Sequence, residues 1–137
     1  MRLFTPNHVA LIEACYPASS TLSSGGPDVG PKGQETSRLV YYASNQAGKL
    51  QKLGTELERR AIIEANRASN GNARYRASLL ITLALFKALA TECRQELSLL
   101  TPYLMRTLSL AFSRLRNDLE VIAKAASVVS GTVAKGI

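Results

Sequence analysis

The sequence predicts an all-α protein, and three observations support this fold class. Apolar residues recur at three- and four-residue spacing through most of the 137 residues, which is typical of helices that bury one face. No segment shows the alternation of apolar and polar residues that a half-buried strand requires. Turn residues separate the periodic segments, and a hydrophobic content of 46% is enough for one small core.

The chain divides into three parts. Thr5 and Pro6 form a helix-start signal, because threonine can cap a helix and proline fits its first position, and they predict a short N-terminal helix within residues 1–17. Residues 18–34 are rich in serine, glycine and proline, so we predict a flexible linker there. Residues 35–137 are predicted to form a helical-repeat segment.

Within this segment the periodic pattern predicts five helices. The pair Asn70–Gly71 marks a turn between the second and the third, and residues 94–100 are predicted to be a connection. Thr101 and Pro102 repeat the start signal of the N-terminal helix. The predicted helices cover residues 35–43, 47–67, 73–90, 101–115 and 119 onward.

Helix pairs that are joined by short turns and repeat about every forty residues are typical of a HEAT- or armadillo-like array. A small bundle of three or four helices is the alternative. Residues 128–137 lack the polar helix that closes such arrays, so we expect the chain to stop within an array as a truncated product.

The helix predicted over residues 47–67 carries two stripes side by side. One stripe is apolar and predicts a packed face, formed by Leu50, Leu53, Leu57 and Ala61. At 100° per residue, a neighbouring arc of roughly 100° is cationic, formed by Lys49, Lys52, Arg59, Arg60 and Arg67. One helix therefore offers both a core face and a binding face.

Two stretches resemble the amino-terminal segment of the Efr-three proteins, the eighty-five-requiring family known as rolling blackout in flies. The first runs from residue 37 to 44 and the second from residue 49 to 60, and an upstream Cys-Tyr-Pro is similar to the start of fungal members. The residues that carry the resemblance are Cys15, Tyr16, Pro17, Leu39, Tyr41, Tyr42, Ala43, Ser44, Leu50, Leu53, Gly54 and Leu57.

This resemblance implies a non-catalytic scaffold. Members of the family form a helical-repeat rod on the cytoplasmic face of the plasma membrane, where they recruit a phosphatidylinositol 4-kinase and its adaptor subunit. The resemblance therefore implies a peripheral membrane protein whose partners are an anionic phospholipid surface and the kinase complex.

The charge of the chain agrees with an anionic partner. The net charge is +7 and the isoelectric point is about 9.8. Residues 49–76 contain seven cations against three glutamates, and these cations are the candidate lipid-binding residues: Lys49, Lys52, Arg59, Arg60, Arg67, Arg74 and Arg76. A nucleic-acid-binding module ranks below the membrane interpretation because no RNA-recognition or zinc-finger pattern is present. An adaptor that binds only protein is a third alternative.

We predict no catalytic residue, metal ligand or cofactor. His8 has no nucleophile or carboxylate beside it in sequence, and the glutamates are explained by pairs such as Glu56 with Arg60. The first residues do not form a secretory signal, and no apolar segment reaches the roughly 20 residues of a membrane span. Cys15 and Cys93 are predicted to be free thiols.

Three side-chain roles stay open at this stage. Tyr41 and Tyr42 form either part of the core, which we favour, or a stacking platform for bases. Ile62 and Ile63 lie off the main apolar stripe, where they either pack on a neighbouring helix, which we favour, or enter lipid. For Cys15 we favour a structural thiol over an acylated one.

Overall fold

A computed structural model describes residues 6–18, 21–22, 30–45 and 47–134, and these residues contain no strand, which confirms the all-α prediction. Within these described ranges, six α-helices have defined bounds, and one short 3₁₀ turn, Arg94–Glu96, precedes the fifth. The helices are α1 (Asn7–Ala14), α2 (Gly33–Asn45), α3 (Ala47–Ser69), α4 (Ala73–Glu92), α5 (Leu97–Arg114) and α6 (Leu119–Ala134).

Helix α3 is the centre of the packing. It packs mainly against α4 and α5, while α4 also packs on α6. Both α1 and α2 contact α3, and α2 also contacts α4. The predicted apolar stripe of α3 is fully buried, as are Leu39 and Ala43 of α2. Each of these buried leucines contributes about 1.5–3 kcal/mol to folding because its side chain leaves water, so this stripe stabilises the packing of α3 on its neighbours.

Gly54 shows why the packing of α3 against α5 needs a residue without a side chain. A Cβ atom at Gly54 would lie 2.6 Å from Cδ2 of Tyr103 on α5, far inside van der Waals contact. The Asn70–Gly71 turn is formed as predicted, with Gly71 at φ 91°, a backbone conformation that glycine adopts at little cost. Asn72 then caps α4 by accepting a hydrogen bond from the backbone N–H of Tyr75.

Two predicted boundaries differ from the structure. Helix α5 begins at Leu97 and includes Pro102, so the predicted connection over residues 94–100 and the helix start at Thr101 are wrong. Burial of Leu97 and Leu100 accounts for the earlier start, since the apolar surface removed from water offsets the backbone hydrogen bond that Pro102 cannot make.

The first part of the chain is more tightly connected than the predicted linker implies. Leu22 is buried in the core, the N–H of Lys32 donates to the carbonyl of Cys15 at 2.8 Å, and α2 begins at Gly33. Helix α1 begins just after Pro6. Thr5 and most of the predicted linker, residues 19–20 and 23–29, lie outside the described residues.

Candidate functional site

The side of α3 that carries the predicted cations faces away from α5. Gly54 and Glu58, which contact α5, lie roughly opposite the cationic arc when α3 is viewed down its axis. Arg74, in the first turn of α4, joins the arc from the neighbouring helix. We call this surface the basic face, and it consists of Lys49, Lys52, Arg59, Arg60, Arg67 and Arg74.

Three arginines of the basic face are held by tyrosine rings. The guanidinium carbon of Arg60 lies 4.0 Å from the ring centroid of Tyr16, while those of Arg67 and Arg74 lie 5.0 and 4.9 Å from that of Tyr75. Arg74 Nη2 also donates to the hydroxyl of Tyr75 at 3.2 Å. No carboxylate among the described residues lies within ion-pair distance of these three guanidinium groups.

The other members of the basic face differ in their partners. Arg59 binds Glu56 through two hydrogen bonds, from Nε at 3.0 Å and from Nη2 at 2.6 Å, and this pairing lowers the pKa of the Glu56 carboxyl. Lys49 Nζ lies 5.3 Å from the ring centroid of Tyr42. Lys52 is exposed. The structure therefore places six of the seven predicted cations on one surface, where Glu56 is paired with Arg59 alone.

Arg76, the seventh predicted cation, is not part of the basic face. Its guanidinium donates two hydrogen bonds to Asp118, at 2.6 and 3.0 Å, and one to Glu120 at 2.7 Å. This network joins α4 to the start of α6, where Asp118 also accepts from the N–H of Val121. The role of Arg76 in the structure is to connect helices.

The predicted carboxylate pairs are replaced by others. Glu56 binds Arg59 rather than Arg60, and Glu58 binds Arg106 of α5 at 2.7 and 2.9 Å. Glu56 pairs with an arginine three residues later on the same helix, whereas Glu58 pairs with an arginine on another helix. The spacing of charges along α3 does not show which kind of partner a glutamate will have.

Glu64 is buried between α3 and α4. Its two oxygens accept hydrogen bonds from the hydroxyls of Ser78 and Thr82, and the hydroxyls of Thr82 and Tyr16 are 2.6 Å apart. Burial raises the pKa of the Glu64 carboxyl to about 7, although the two hydroxyls and Arg60 favour its charged form. Burial also raises the pKa of Tyr16.

A cavity of about 340 Å³ opens beside this buried network, between α3, α4 and the segment that follows α1. We call it the α3–α4 cavity. It is lined by Tyr16, Pro17, Leu22, Arg59, Arg60, Ile63, Glu64, Arg74, Tyr75 and Ser78. Three cations of the basic face, and the two tyrosines whose rings contact arginines of that face, thus surround one concave site.

Sequence reasoning missed the role of these tyrosines. The sequence pattern includes Tyr16 only as part of the family motif, and it does not single out Tyr75. A signal was present at Tyr75, because an aromatic residue between two arginines at a helix start can stack on either of them. Tyr16 lies 44 positions before Arg60, so no local pattern connects the two.

The open side-chain roles have mixed outcomes. Cys15 is fully buried and its thiol donates to the carbonyl of Leu11 at 3.3 Å, as expected for a structural thiol. Tyr42 is half-buried, but Tyr41 is 70% exposed, so the favoured assignment of Tyr41 to the core is wrong. Ile62 and Ile63 remain 44% and 40% exposed.

No helix within the described ranges is both long and apolar enough to cross a bilayer. Those residues also contain no cluster of three or more potential metal ligands.

Comparison with known proteins identifies the family. The profile described as EFR3 protein matches residues 7–134. The chain belongs to the EFR3 family. It is 43% identical over 124 residues to Protein EFR3 of Cryptococcus neoformans var. neoformans serotype D, and 36% identical over 130 residues to Protein EFR3 of Mycosarcoma maydis. These alignments cover 87% and 88% of the chain.

Other EFR3 proteins extend the comparison. Protein EFR3 of Saccharomyces cerevisiae is 31% identical over 123 residues, which is 88% of the chain. A solved structure titled "Crystal structure of Efr3" superimposes with a TM-score of 0.79 at 26% identity, over 94% of this chain and 22% of that one. The chain spans only 12% of the length of the Cryptococcus and Mycosarcoma relatives.

Proposed function

We propose that this chain belongs to a non-catalytic scaffold that binds the anionic cytoplasmic face of the plasma membrane and helps to recruit a phosphatidylinositol 4-kinase complex. Membership of the EFR3 family supports the scaffold role. The observation that carries membrane binding is that Arg60, Arg67 and Arg74 have no ion pair with a carboxylate in the part of the chain that the structure describes, because charges that are not neutralised there remain available to an anionic surface.

The size of the basic face suits reversible attachment. Each lysine or arginine held near an anionic leaflet contributes about 1 kcal/mol, so the five cations of the basic face that have no ion pair among the described residues together provide several kcal/mol. Salt screens exposed charges beyond about 8 Å at 0.15 M ionic strength. Binding to vesicles that contain phosphatidylserine should therefore fall steeply between low and physiological salt, while binding to neutral vesicles stays low throughout.

Charge reversal tests the location of this surface. Lys49→Glu with Lys52→Glu should abolish sedimentation with anionic vesicles, because both lysines lie outside the buried stripe and the change replaces attraction by repulsion. Arg114→Glu with Arg116→Glu, at the exposed end of α5, makes the same change in net charge at the opposite end of α3 from Lys49 and Lys52, and is the matched control. Circular dichroism should show unchanged helical content in both variants.

Two outcomes would contradict the membrane role. Equal binding to neutral and anionic vesicles would remove the electrostatic mechanism. Equal loss in the two charge-reversal pairs would show that only the net charge matters. An oligonucleotide titration with the same variants reports whether the basic face instead prefers nucleic acid.

Kinase recruitment is tested in the full-length protein. With the Lys49→Glu and Lys52→Glu pair, we expect the scaffold and the kinase complex to leave the plasma membrane together, as seen by fluorescence of both. A kinase that stays at the membrane while the scaffold leaves would contradict the recruitment role.

A further inference from the structure

The α3–α4 cavity contains the elements of a phosphate site. Arg59, Arg60 and Arg74 line it, and the guanidinium group binds phosphate oxygens through parallel hydrogen bonds. No carboxylate among the described residues lies within ion-pair distance of Arg60 or Arg74, so their N–H donors are not used in an internal ion pair. A volume of about 340 Å³ is at the lower end of the range for small-molecule sites, which suits a small polar group.

The tyrosines hold these arginines in place before any ligand arrives. Tyr16 is buried and its hydroxyl is fixed beside Thr82, so the ring under Arg60 has little freedom. Arg74 is held through both the ring and the hydroxyl of Tyr75. A site whose ligands are already ordered loses less conformational entropy on binding, and it can distinguish one anionic group from another.

The number of cations favours a phosphate monoester over a diester. A monoester carries a charge of about −1.5 to −2 at pH 7 and presents three acceptor oxygens, which matches two or three guanidinium groups. A diester has less charge and fewer free oxygens. Glu64 opposes any anion in this cavity, but both of its oxygens accept hydroxyl hydrogens, and its raised pKa leaves part of the population neutral near pH 7.

We propose that the α3–α4 cavity binds the phosphate monoester of a lipid headgroup, with Arg60 and Arg74 as its principal ligands and Arg59 as a further cation. This inference rests on the proposed membrane role and adds selectivity to it. The basic face as a whole supplies attraction to any anionic leaflet, whereas the cavity recognises one chemical group within that leaflet.

The test compares two vesicle types of equal surface charge. Both consist of phosphatidylcholine, one with phosphatidic acid and the other with phosphatidylserine, adjusted to the same electrophoretic mobility. The unmodified chain should bind the phosphatidic acid vesicles about fivefold tighter or more, because only this lipid carries a monoester. Equal affinity for the two vesicle types would overturn the cavity assignment, whereas absence of binding to both would overturn the proposed membrane role itself.

Matched variants locate the preference. Arg60→Gln with Arg74→Gln should bring the ratio of the affinities for phosphatidic acid and phosphatidylserine vesicles close to one. Lys49→Gln with Lys52→Gln removes the same charge and should weaken binding to both vesicle types while the ratio is preserved. Arg60→Lys with Arg74→Lys keeps the charge but loses the planar fork, so the preference should also fall. Persistence of the preference in Arg60→Gln with Arg74→Gln, at unchanged thermal unfolding, would refute the assignment.

A soluble monoester identifies the source of the phosphate. We expect sn-glycerol 3-phosphate to compete with phosphatidic acid vesicles only weakly, because the lipid surface adds the attraction of the rest of the basic face. Equal affinity for the soluble monoester and for the vesicles would overturn the lipid source.

Discussion

Arginines on two sides of the α3–α4 pair are held by different partners. Near the α3–α4 cavity, Arg60, Arg67 and Arg74 stack on tyrosine rings without a carboxylate among the described residues. Two residues beyond Arg74, Arg76 is bound by Asp118 and Glu120. A ring orients the guanidinium and leaves its charge available, whereas a carboxylate neutralises it. The partner therefore decides whether the charge of an arginine is available to a ligand or is neutralised within the fold.

The largest expected effect concerns the buried carboxylate beneath the tyrosine-held group. The pKa of Glu64 is raised to about 7 in the folded chain from 4.5, so the folded state holds this proton more tightly than the unfolded state. The stabilisation that comes from this proton is complete below pH 4.5 and is lost as the pH rises through 7. The free energy of unfolding should therefore fall by about 3 kcal/mol at most over this range.

Glu64→Gln should remove this pH dependence. The amide keeps a donor and an acceptor for Ser78 and Thr82, so the variant should match the native chain near pH 5 and exceed its free energy of unfolding at pH 8. Urea unfolding at both pH values measures the difference. The control is Glu58→Gln, which makes the same change at the partly exposed pair with Arg106. Its free energy of unfolding should differ from that of the native chain by the same amount at pH 5 and at pH 8. A Glu64→Gln variant less stable than the native chain at pH 8 would contradict the burial argument.

A smaller effect on stability is expected where an arginine is bound by carboxylates. Arg76→Ala leaves Asp118 without its charged partner, and we expect a loss of about 2 kcal/mol in the free energy of unfolding. Arg74→Ala, its neighbour on the tyrosine-held side, should cost well under 1 kcal/mol but should weaken vesicle binding. Thermal unfolding and vesicle sedimentation of the two variants measure both quantities. Equal losses of stability and of vesicle binding in the two variants would contradict the difference between carboxylate-bound and tyrosine-held arginines.

The smallest expected effect separates the ring of Tyr16 from its hydroxyl. Tyr16→Phe removes the hydrogen bond to Thr82 but keeps the surface under Arg60, so we expect a loss of about 1 kcal/mol in stability with vesicle binding unchanged. Tyr16→Leu removes the ring as well and should also reduce the preference for phosphatidic acid. If Tyr16→Phe alone removed that preference, the hydroxyl rather than the ring would be what positions Arg60.

The sequence carries the fold more fully than the site. The buried face of α3 is predicted by the spacing of Leu50, Leu53 and Leu57, because helix periodicity is a local property of the sequence. The same local pattern places Lys49 and Lys52 on the adjacent side. These inferences need no knowledge of the other helices, and the structure confirms the buried face.

The partners of charged residues could not be read in the same way. Arg76 and Asp118 are 42 positions apart, and Glu58 and Arg106 are 48 apart, so their pairing depends on how the helices pack. Glu56 and Glu64 each have an arginine three residues later in the sequence. Glu56 binds that arginine, Arg59, whereas Glu64 is bound by two hydroxyls of α4. The start signal at Thr101 and Pro102 gave the wrong helix boundary, because burial of Leu97 and Leu100 lets α5 begin four residues earlier.

Which side of the chain touches the membrane can be measured with a single fluorophore. The chain contains no tryptophan, so Ile63→Trp places one reporter within the basic face, and Phe112→Trp places another on the exposed side of α5. With anionic vesicles that contain brominated lipid, we predict strong quenching of Ile63→Trp at low salt and little quenching of Phe112→Trp. Quenching of Phe112→Trp with none at Ile63→Trp would contradict the assignment of the basic face to the membrane.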